Sequence, residues 1–292
     1  MAERYDLLIT SVGYEARSRY IAEIVGTVAA RKVAFNFDSP GVLSFDQNLR
    51  VVRALGFEVR PIDDQFAGAL RRLLEDATDQ GVRAIGIDIS SLTKFHIAEV
   101  VDVFHESNLE LSVDFLYAPA SSASWVPVDA PIQYAEPIHP AFASWTDDPL
   151  LPLVAVIGTG AEANLALGVA EQLDVSGVYA FSPSGADAEF DRISADANHD
   201  FFLANYVVRS STYDLLAPFE LFSRLESLLY GLTAETRIAL VPLGPKIFAL
   251  CSLLASLASG RAATVWRFSF GVAERPADVQ AAGVVVSLRV TW

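Results

Sequence analysis

Short apolar runs alternate with amphipathic runs of helical length along the chain. In the first part, the apolar runs cover residues 5–10, 32–37, 57–62, 84–87 and 111–117. Parallel strands need a crossover between them, and a helix is the usual crossover. The alternation therefore predicts an α/β fold built on a doubly wound parallel sheet of the Rossmann type.

The second part of the chain repeats this plan. A Gly-x-Glu-Ala stretch occurs at residues 13–16 and again at 160–163, and a lysine before an apolar helical run occurs at Lys94 and Lys246. Matching positions in the two halves are about 150 residues apart, and small loop insertions would account for the differences between these offsets. We infer two tandem Rossmann-like units that arose by internal duplication.

The segment between the repeats is rich in Pro, Ser and Ala but contains Trp125 and Trp145. Two tryptophans are unusual in a pure linker, so we expect residues 125–128 and 132–134 to form a hairpin. A final β-branched run suggests one more strand in the second unit. The expected organisation is a first unit at 1–120, a connecting segment at 121–152 and a second unit at 153–292.

The loop after the fourth apolar run reads Asp88-Ile-Ser-Ser-Leu-Thr-Lys94, and its counterpart in the second unit reads Pro242-Leu-Gly-Pro-Lys246. Lysine is rare in this chain, because only Lys32 accompanies these two among 21 basic residues. Free backbone N–H groups, hydroxyls and a cation at the start of a helix are typical of a site for phosphate or carboxylate. Chance and ordinary helix-start chemistry are the alternative explanation.

In a sheet with strand order 3-2-1-4-5, strands one and four are neighbours, and the crevice at their carboxyl ends is where ligands bind. The loops that follow these strands should therefore meet in each unit. The predicted ligand-binding residues are Gly13, Glu15, Arg17, Asp88, Ser90, Ser91, Thr93 and Lys94 in the first unit, and Gly160, Glu162, Gly244 and Lys246 in the second.

Each of these residues also has a structural interpretation. The glycines suit tight turns, and an acidic residue in a first helical turn complements the helix dipole. Arg17 could form a surface ion pair, and Ser90, Ser91 and Thr93 could cap a helix. Asp88 could hold a ribose hydroxyl or a metal, or could also act as a cap.

The composition excludes several classes of function. A net charge of −15 and a pI near 4.6 disfavour general nucleic-acid binding, which requires the neutralisation of many phosphates. Four histidines without zinc-site spacing and one cysteine, Cys251, predict no metal, and no cofactor is expected. The longest apolar passage, residues 238–258, is broken by Pro242, Gly244, Pro245 and Lys246, so no membrane span is expected. Without a signal-peptide pattern, we expect a cytoplasmic protein.

Two Rossmann-like lobes, with Thr93-Lys94 and Gly-Pro-Lys246 at the helix after strand four, resemble the CARF and SAVED group of bacterial nucleotide sensors. In that group a Gly-Thr-Lys-like loop lies near the bound cyclic oligonucleotide. The resemblance implies a nucleotide sensor in antiviral defence. We expect no attached effector domain, so the resemblance implies a sensor that acts through a partner protein or a homo-oligomer.

Three hypotheses follow for the function. The first is a sensor that binds a phosphate-bearing small molecule, a nucleotide. The second is an enzyme acting on a nucleotide or sugar phosphate, with Glu15 or Asp88 as acid or base. The third is a scaffold subunit, which the high hydrophobic content of 52% would suit.

Overall fold

The protein is described by a computed structural model over residues 4–107, 109–122, 132–144, 148–185, 188–232, 234–260, 263–269 and 277–292. It divides into two compact units. The first comprises Met1–Trp125 with Arg275–Trp292, and the second comprises Val126–Glu274. Each unit contains one six-stranded, mostly parallel sheet, which confirms the predicted α/β class.

The first unit alternates strands and helices as predicted. Its elements are β1 (Tyr5–Val12), α1 (Tyr20–Val25), β2 (Ala29–Asn36), α2 (Phe45–Ala54), β3 (Glu58–Pro61), α3 (Phe66–Asp79), β4 (Ala84–Asp88), α4 (Lys94–Glu106), β5 (Ser112–Tyr117) and the last strand of the chain, β12 (Val286–Thr291).

The sheet of the first unit has the strand order β12-β5-β4-β1-β2-β3. Strands β1 to β5 are parallel to their neighbours and follow the expected order 3-2-1-4-5, while β12 pairs antiparallel with β5. Strand β1 is apolar and buried almost throughout because helices cover both faces of such a sheet. Strand β3 lies at the edge of the sheet, and this position tolerates its terminal Pro61. Proline lacks the backbone N–H that a central strand would need for its hydrogen bonds.

The second unit has the same plan. Its elements are β6 (Tyr134–Pro137), β7 (Leu153–Gly158), α5 (Leu165–Gln172), β8 (Gly177–Ser184), α6 (Ala188–Ala197), α7 (His199–Leu203), β9 (Val207–Asp214), α8 (Pro218–Gly231), β10 (Arg237–Pro242), α9 (Lys246–Ala258) and β11 (Ala263–Ser269).

The second sheet has the order β6-β11-β10-β7-β8-β9, in which β7 to β11 are parallel and β6 is antiparallel to β11. Helix α9 is apolar on all sides and is buried along most of its length, as expected of a helix enclosed between a sheet and another helix. Within the described ranges, no helix is both long and apolar enough to cross a membrane.

The edge strands depart from the predicted unit boundaries. The final strand β12 belongs to the first sheet rather than to a second unit at 153–292, and β6 comes from the predicted connecting segment to complete the second sheet. An ion pair between the half-exposed Arg289 on β12 and the buried Asp114 on β5 supports this pairing. Residues 125–128 of the predicted hairpin lie outside the described residues, and Gln133 pairs with Ser269 beside β11.

Both sheets therefore combine five parallel strands in the same order with one antiparallel edge strand. This common layout agrees with an internal duplication. The duplication itself remains a prediction, which comparison of the two units by superposition would test.

Candidate functional site

The loops after β1 and β4 meet at the carboxyl ends of these neighbouring strands. A Cβ added to Gly13 would lie 3.4 Å from the Cβ of Ser91, which is ordinary van der Waals contact. The two loops therefore line one crevice, at the switch point where a doubly wound sheet binds ligands.

The loop after β1 is held by hydrogen bonds from several directions. The amide of Gly13 donates to Ser18 Oγ at 2.9 Å, and Ser18 Oγ donates to the carbonyl of Ser11 at 2.8 Å. The Asn48 side chain on α2 donates to the carbonyls of Gly13 at 2.9 Å and Glu15 at 2.8 Å. The crevice thus has a preorganised wall.

Arg17 and Glu15 pair with each other beneath this loop. Arg17 is buried, and its Nε lies 2.5 Å from Glu15 Oε2. Burial opposes the charge of Arg17, but the Glu15 carboxylate and Tyr117 outweigh it, so the pKa of Arg17 is raised. The observed role is an intramolecular ion pair, and a ligand contact by either residue remains a prediction.

The C-terminal segment adds a second support to the same loop. Asp278 accepts hydrogen bonds from the amide of Ala16 at 2.7 Å and from Ser44 Oγ at 2.8 Å. The amide of Arg17 donates to the carbonyl of Val279 at 2.9 Å. An internal carboxylate thus already occupies the amino end of the short 3-10 helix Ala16–Arg19.

Asp88 and Ser90 stabilise the loop after β4. Asp88 is buried and accepts hydrogen bonds from Thr10 Oγ1 at 2.9 Å and from the amide of Ser90 at 2.8 Å. Ser90 Oγ accepts from the amide of Ala118 at 2.9 Å. These bonds tie β4 to its neighbours β1 and β5, so both side chains position the loop.

Thr93 and Lys94 mark the start of α4. Thr93 caps the helix by accepting a hydrogen bond from the amide of His96 at 3.2 Å. Lys94 is the first helical residue and is partly exposed beside the crevice. The ring of His96 contacts the rings of Phe37 and Phe66.

Several polar groups of these loops lack protein partners. The backbone N–H groups of Ser91, Leu92 and Thr93 donate no hydrogen bond within the described residues, and the same holds there for those of Tyr14 and Glu15. Unpaired backbone N–H groups in a loop that leads into a helix are available to an external acceptor such as an anion.

Two hydroxyl groups at this end of the sheet show the same lack. The Oγ atoms of Ser11 and Ser91 are both buried and have no hydrogen-bond partner in the part of the chain that the structure describes. Ser11 is 1% exposed. Hydroxyl donors beside unpaired amides could serve the oxygen atoms of a phosphate.

In the second unit, the corresponding loops contact each other backbone to backbone. A Cβ at Gly244 would lie 2.0 Å from the carbonyl oxygen of Thr159, and a Cβ at Gly160 would lie 3.2 Å from Gly244 Cα. The amides of Leu243 and Gly244 both donate to the carbonyl of Gly158, at 2.9 and 3.0 Å. Packing therefore explains these glycines, and the β10 loop has already used its two amides.

The other predicted residues of the second unit lie beside this contact. Glu162 has a carboxylate oxygen next to Gly160, and Lys246 is the first residue of α9 after the N-cap Pro245. No contact with a ligand is tested for either, so both remain predictions.

Sequence reasoning missed two asparagines that support the first loop of each unit. Asn48 donates to the carbonyl of Gly13, and Asn198 donates to the carbonyl of Gly160 at 2.8 Å. Both are buried. The signal in the sequence that could have identified them is an asparagine at similar spacing after the Gly-x-Glu-Ala stretch in both halves.

Across the residues that the structure describes, histidine, cysteine and carboxylate side chains do not gather in groups of three or more. The candidate site is therefore one of amides, hydroxyls and a lysine.

No family model matches this sequence, and no curated protein matches it. Among solved structures, the chain is similar to leucoanthocyanidin reductase from Vitis vinifera in a binary complex with NADPH, with 8% identity, a TM-score of 0.27, and coverage of 89% of this chain and 92% of that one. It is also similar to phosphoethanolamine N-methyltransferase 1 from Haemonchus contortus, in complex with phosphoethanolamine and S-adenosylhomocysteine. That match has 10% identity, a TM-score of 0.24, and coverage of 82% of this chain and 69% of that one. Values this low assign the chain to no family.

Proposed function

We propose that the crevice at the carboxyl ends of β1 and β4 binds a phosphate-bearing small molecule, specifically a nucleotide, and that the protein is a sensor of this ligand. One observation carries the proposal: the loop with the unpaired amides of Ser91, Leu92 and Thr93 contacts, at Gly13, the loop with those of Tyr14 and Glu15, within the described residues. Backbone N–H groups at a helix start form a ready anion site.

The local charge supports an anion despite the acidic chain. Lys94 stands at the amino end of α4, where the helix dipole adds partial positive charge. With a net charge of −15, the protein as a whole repels anions, so a bound phosphate would depend on these short-range donors. Glu15 in the same loop is offset by its pairing with Arg17, and the Asp278 carboxylate accepts hydrogen bonds from the Ala16 amide and from Ser44 Oγ.

The geometry favours binding over acid-base catalysis at this crevice. Asp88 is held by two internal hydrogen bonds, and Glu15 is paired with Arg17. A general acid or base must reach the substrate proton, and both carboxylates are engaged elsewhere. We therefore propose a sensor rather than an enzyme on a nucleotide or sugar phosphate.

The resemblance to the CARF and SAVED group supports the sensor role. In this proposal, ligand binding changes the association of the protein with a partner or with a second copy of itself, in bacterial antiviral defence. A ligand can do so only through a difference in affinity between two states, so ligand and partner must influence each other's binding.

The test is calorimetric titration and thermal shift with mononucleotides, dinucleotides and cyclic oligonucleotides. A ligand of the native state must raise the melting temperature. Lys94→Ala should weaken binding by about 1 to 3 kcal/mol, or roughly 5- to 150-fold, which is the usual loss for a charged hydrogen bond. The same titration with Lys246→Ala tests the second unit.

Arg53→Ala is the control, because Arg53 is exposed on α2 and its removal changes the net charge equally. Its affinity should match that of the wild-type protein. No thermal shift with any nucleotide, or equal affinity in Lys94→Ala, would contradict the proposal and favour the scaffold hypothesis.

A further inference from the structure

A second cavity lies in the second unit, away from the ends of the parallel strands. It has a volume of about 590 Å³ and is formed between α8 and one face of β8 and β9. Sites for small molecules usually have volumes of about 300 to 1,000 Å³. We refer to this cavity as the arginine pocket, after Arg209 and Arg224 in its wall.

The regular spacing of strand and helix residues builds the wall. Tyr179 and Phe181 are two apart on β8, and Arg209 and Ser211 are two apart on β9, so each pair faces the same side of the sheet. Along α8, positions 223, 224, 227, 228 and 231 share one helix face. Three rigid elements therefore hold the lining residues.

The two arginines give the pocket a positive charge. In the described part of the chain, neither Arg209 nor Arg224 forms an ion pair, although other arginines such as Arg192 pair with carboxylates. Arg224 lies 5.3 Å from the centre of the Phe181 ring and donates to the carbonyl of Thr212 at 2.7 Å. This anchored guanidinium keeps further donors for a ligand.

Hydroxyl groups supplement the arginines. Tyr179, Ser211, Ser223 and Ser227 line the pocket, and their side chains make no hydrogen bond to other described residues. Hydroxyls and guanidinium groups are suited to phosphate oxygens, and arginine can bind them in bidentate fashion. The aromatic ring of Tyr179 offers a flat surface to a ligand ring, while the buried ring of Phe181 supports the Arg224 guanidinium.

The first unit contains a smaller cavity at the corresponding place, between β3 and α3, with a volume of about 280 Å³. It is also lined by two arginines, Arg60 and Arg72. Arg60, however, pairs with Glu58 at 2.8 Å, and Asp63 lines the cavity as well. The second unit has Val207 two residues before Arg209, where the first has Glu58 before Arg60, so its charge is not cancelled in this way.

We propose that the arginine pocket binds a small phosphate ester that carries a flat ring, such as a nucleoside monophosphate. The phosphate contacts Arg209 and Arg224, and the ring lies along the aromatic and apolar part of the wall. The proposal does not depend on ligand binding at the β1 and β4 crevice.

The polarity of α8 sets the orientation of the ligand. The helix ends near Gly231, where its dipole is negative and disfavours an anion. Arg224 lies seven residues earlier, about 10 Å along the helix axis. The phosphate therefore lies at the Arg224 end, and the uncharged part lies toward Leu228 and Leu232.

Hydrogen-deuterium exchange with mass spectrometry tests this assignment locally, with adenosine monophosphate as the probe. We expect protection of peptides covering 177–184 and 207–232 in the wild-type protein. Arg209→Ala should reduce the affinity measured by this protection about tenfold or more, because one charged hydrogen-bonding group is lost. Arg209 is exposed and contributes no ion pair among the described residues, so this variant should fold.

Three further variants make the test specific. Arg192→Ala removes the same charge from an exposed site of the same unit and should leave protection unchanged. Gly231→Leu should block the pocket without unfolding α8, because a Cβ there would meet nothing within 4 Å. Lys94→Ala, which tests the β1 and β4 crevice, should also leave protection of these peptides unchanged.

Adenosine and inorganic phosphate, each used alone, should protect these peptides more weakly than adenosine monophosphate. Equal protection by adenosine, or equal protection in wild-type protein and Arg209→Ala, would overturn the assignment. Absence of protection by adenosine monophosphate at millimolar concentration would overturn it too.

Discussion

Replacement of Arg289 by alanine should destabilise the first unit far more than an equivalent change in the second. Arg289 on β12 binds Asp114 on β5 with two hydrogen bonds, of 2.7 and 3.0 Å, and Tyr5 donates a third to the same carboxylate at 2.8 Å. The Asp114 side chain is 2% exposed, so the Arg289→Ala variant leaves a buried carboxylate that has lost its ion pair and both guanidinium hydrogen bonds.

The magnitude follows from this burial. Removing one partner of a fully buried ion pair costs about 3 to 5 kcal/mol, and the half-exposed guanidinium of Arg289 lowers that cost to about 2 to 3 kcal/mol. Arg267 and Glu136 form the matched control, since they lie directly opposite each other on the antiparallel strands β11 and β6. Glu136 is 47% exposed, so Arg267→Ala should cost less than about 1 kcal/mol.

Urea denaturation of both variants, with the free energy of unfolding taken from each transition, provides the measurement. Exchange of β5 amides with deuterium should also become faster in Arg289→Ala. Equal losses of stability in the two variants would refute the reasoning, because burial of the carboxylate would then not decide the cost.

Two more predictions concern the candidate site region and its counterpart in the second unit. Burial and the nearby Asp102 raise the pKa of Glu99 on α4 to about 7, above its unfolded value of 4.5. The folded state therefore binds the proton more tightly than the unfolded state does. The free energy of unfolding should fall by up to about 3 kcal/mol as the pH rises from 4.5 through 7. Denaturation of Glu99→Gln across this range should show a smaller decrease than wild type, and an identical decrease would rule out Glu99 as its source. Gly244→Ala should lower the free energy of unfolding by more than about 2 kcal/mol, since its Cβ would lie 2.0 Å from the Thr159 carbonyl oxygen. Gly168→Ala on α5 is the control, because its Cβ would meet nothing within 4 Å, and this variant should be neutral or stabilising. Equal melting temperatures for the two alanine variants would show that the loops after β7 and β10 are not close-packed.

The parallel core of each sheet could be predicted from local pattern. Apolar runs of strand length separated by helical runs imply parallel strands, and the order 3-2-1-4-5 brings the loops at Gly13 and Ser91 together. The same order places β3 at an edge of the sheet, where Pro61 is tolerated. These features depend on residues close together in the sequence.

The edge strands could not be predicted in the same way. Whether β12 completes the first or the second sheet depends on its pairing with β5, and Arg289 and Asp114 are 175 residues apart. An antiparallel edge strand can add to either sheet, so its apolar pattern does not indicate which sheet it joins. The buried carboxylate of Asp114 supplies that information through a contact between residues far apart in the sequence.

The candidate site was predictable in place but not in detail. The pattern of residues at a helix start predicted Thr93 and Lys94 as candidates. It did not predict that Arg17 pairs with Glu15 or that the Arg17 amide donates to the carbonyl of the distant Val279. The arginine pocket had no sequence motif, because Arg209 and Arg224 belong to a strand and a helix with a loop between them. Such sites become visible only when packing brings the elements together.

The central claim is that unpaired amides at the ends of β1 and β4 hold an anionic ligand. Amide chemical shifts of the labelled protein, titrated with the tightest nucleotide of the panel, test it most directly. The account predicts large, saturable shifts at Tyr14, Glu15, Ser91, Leu92 and Thr93, with a weaker dissociation constant in Lys94→Ala. Saturable shifts that leave these five amides unmoved would contradict it.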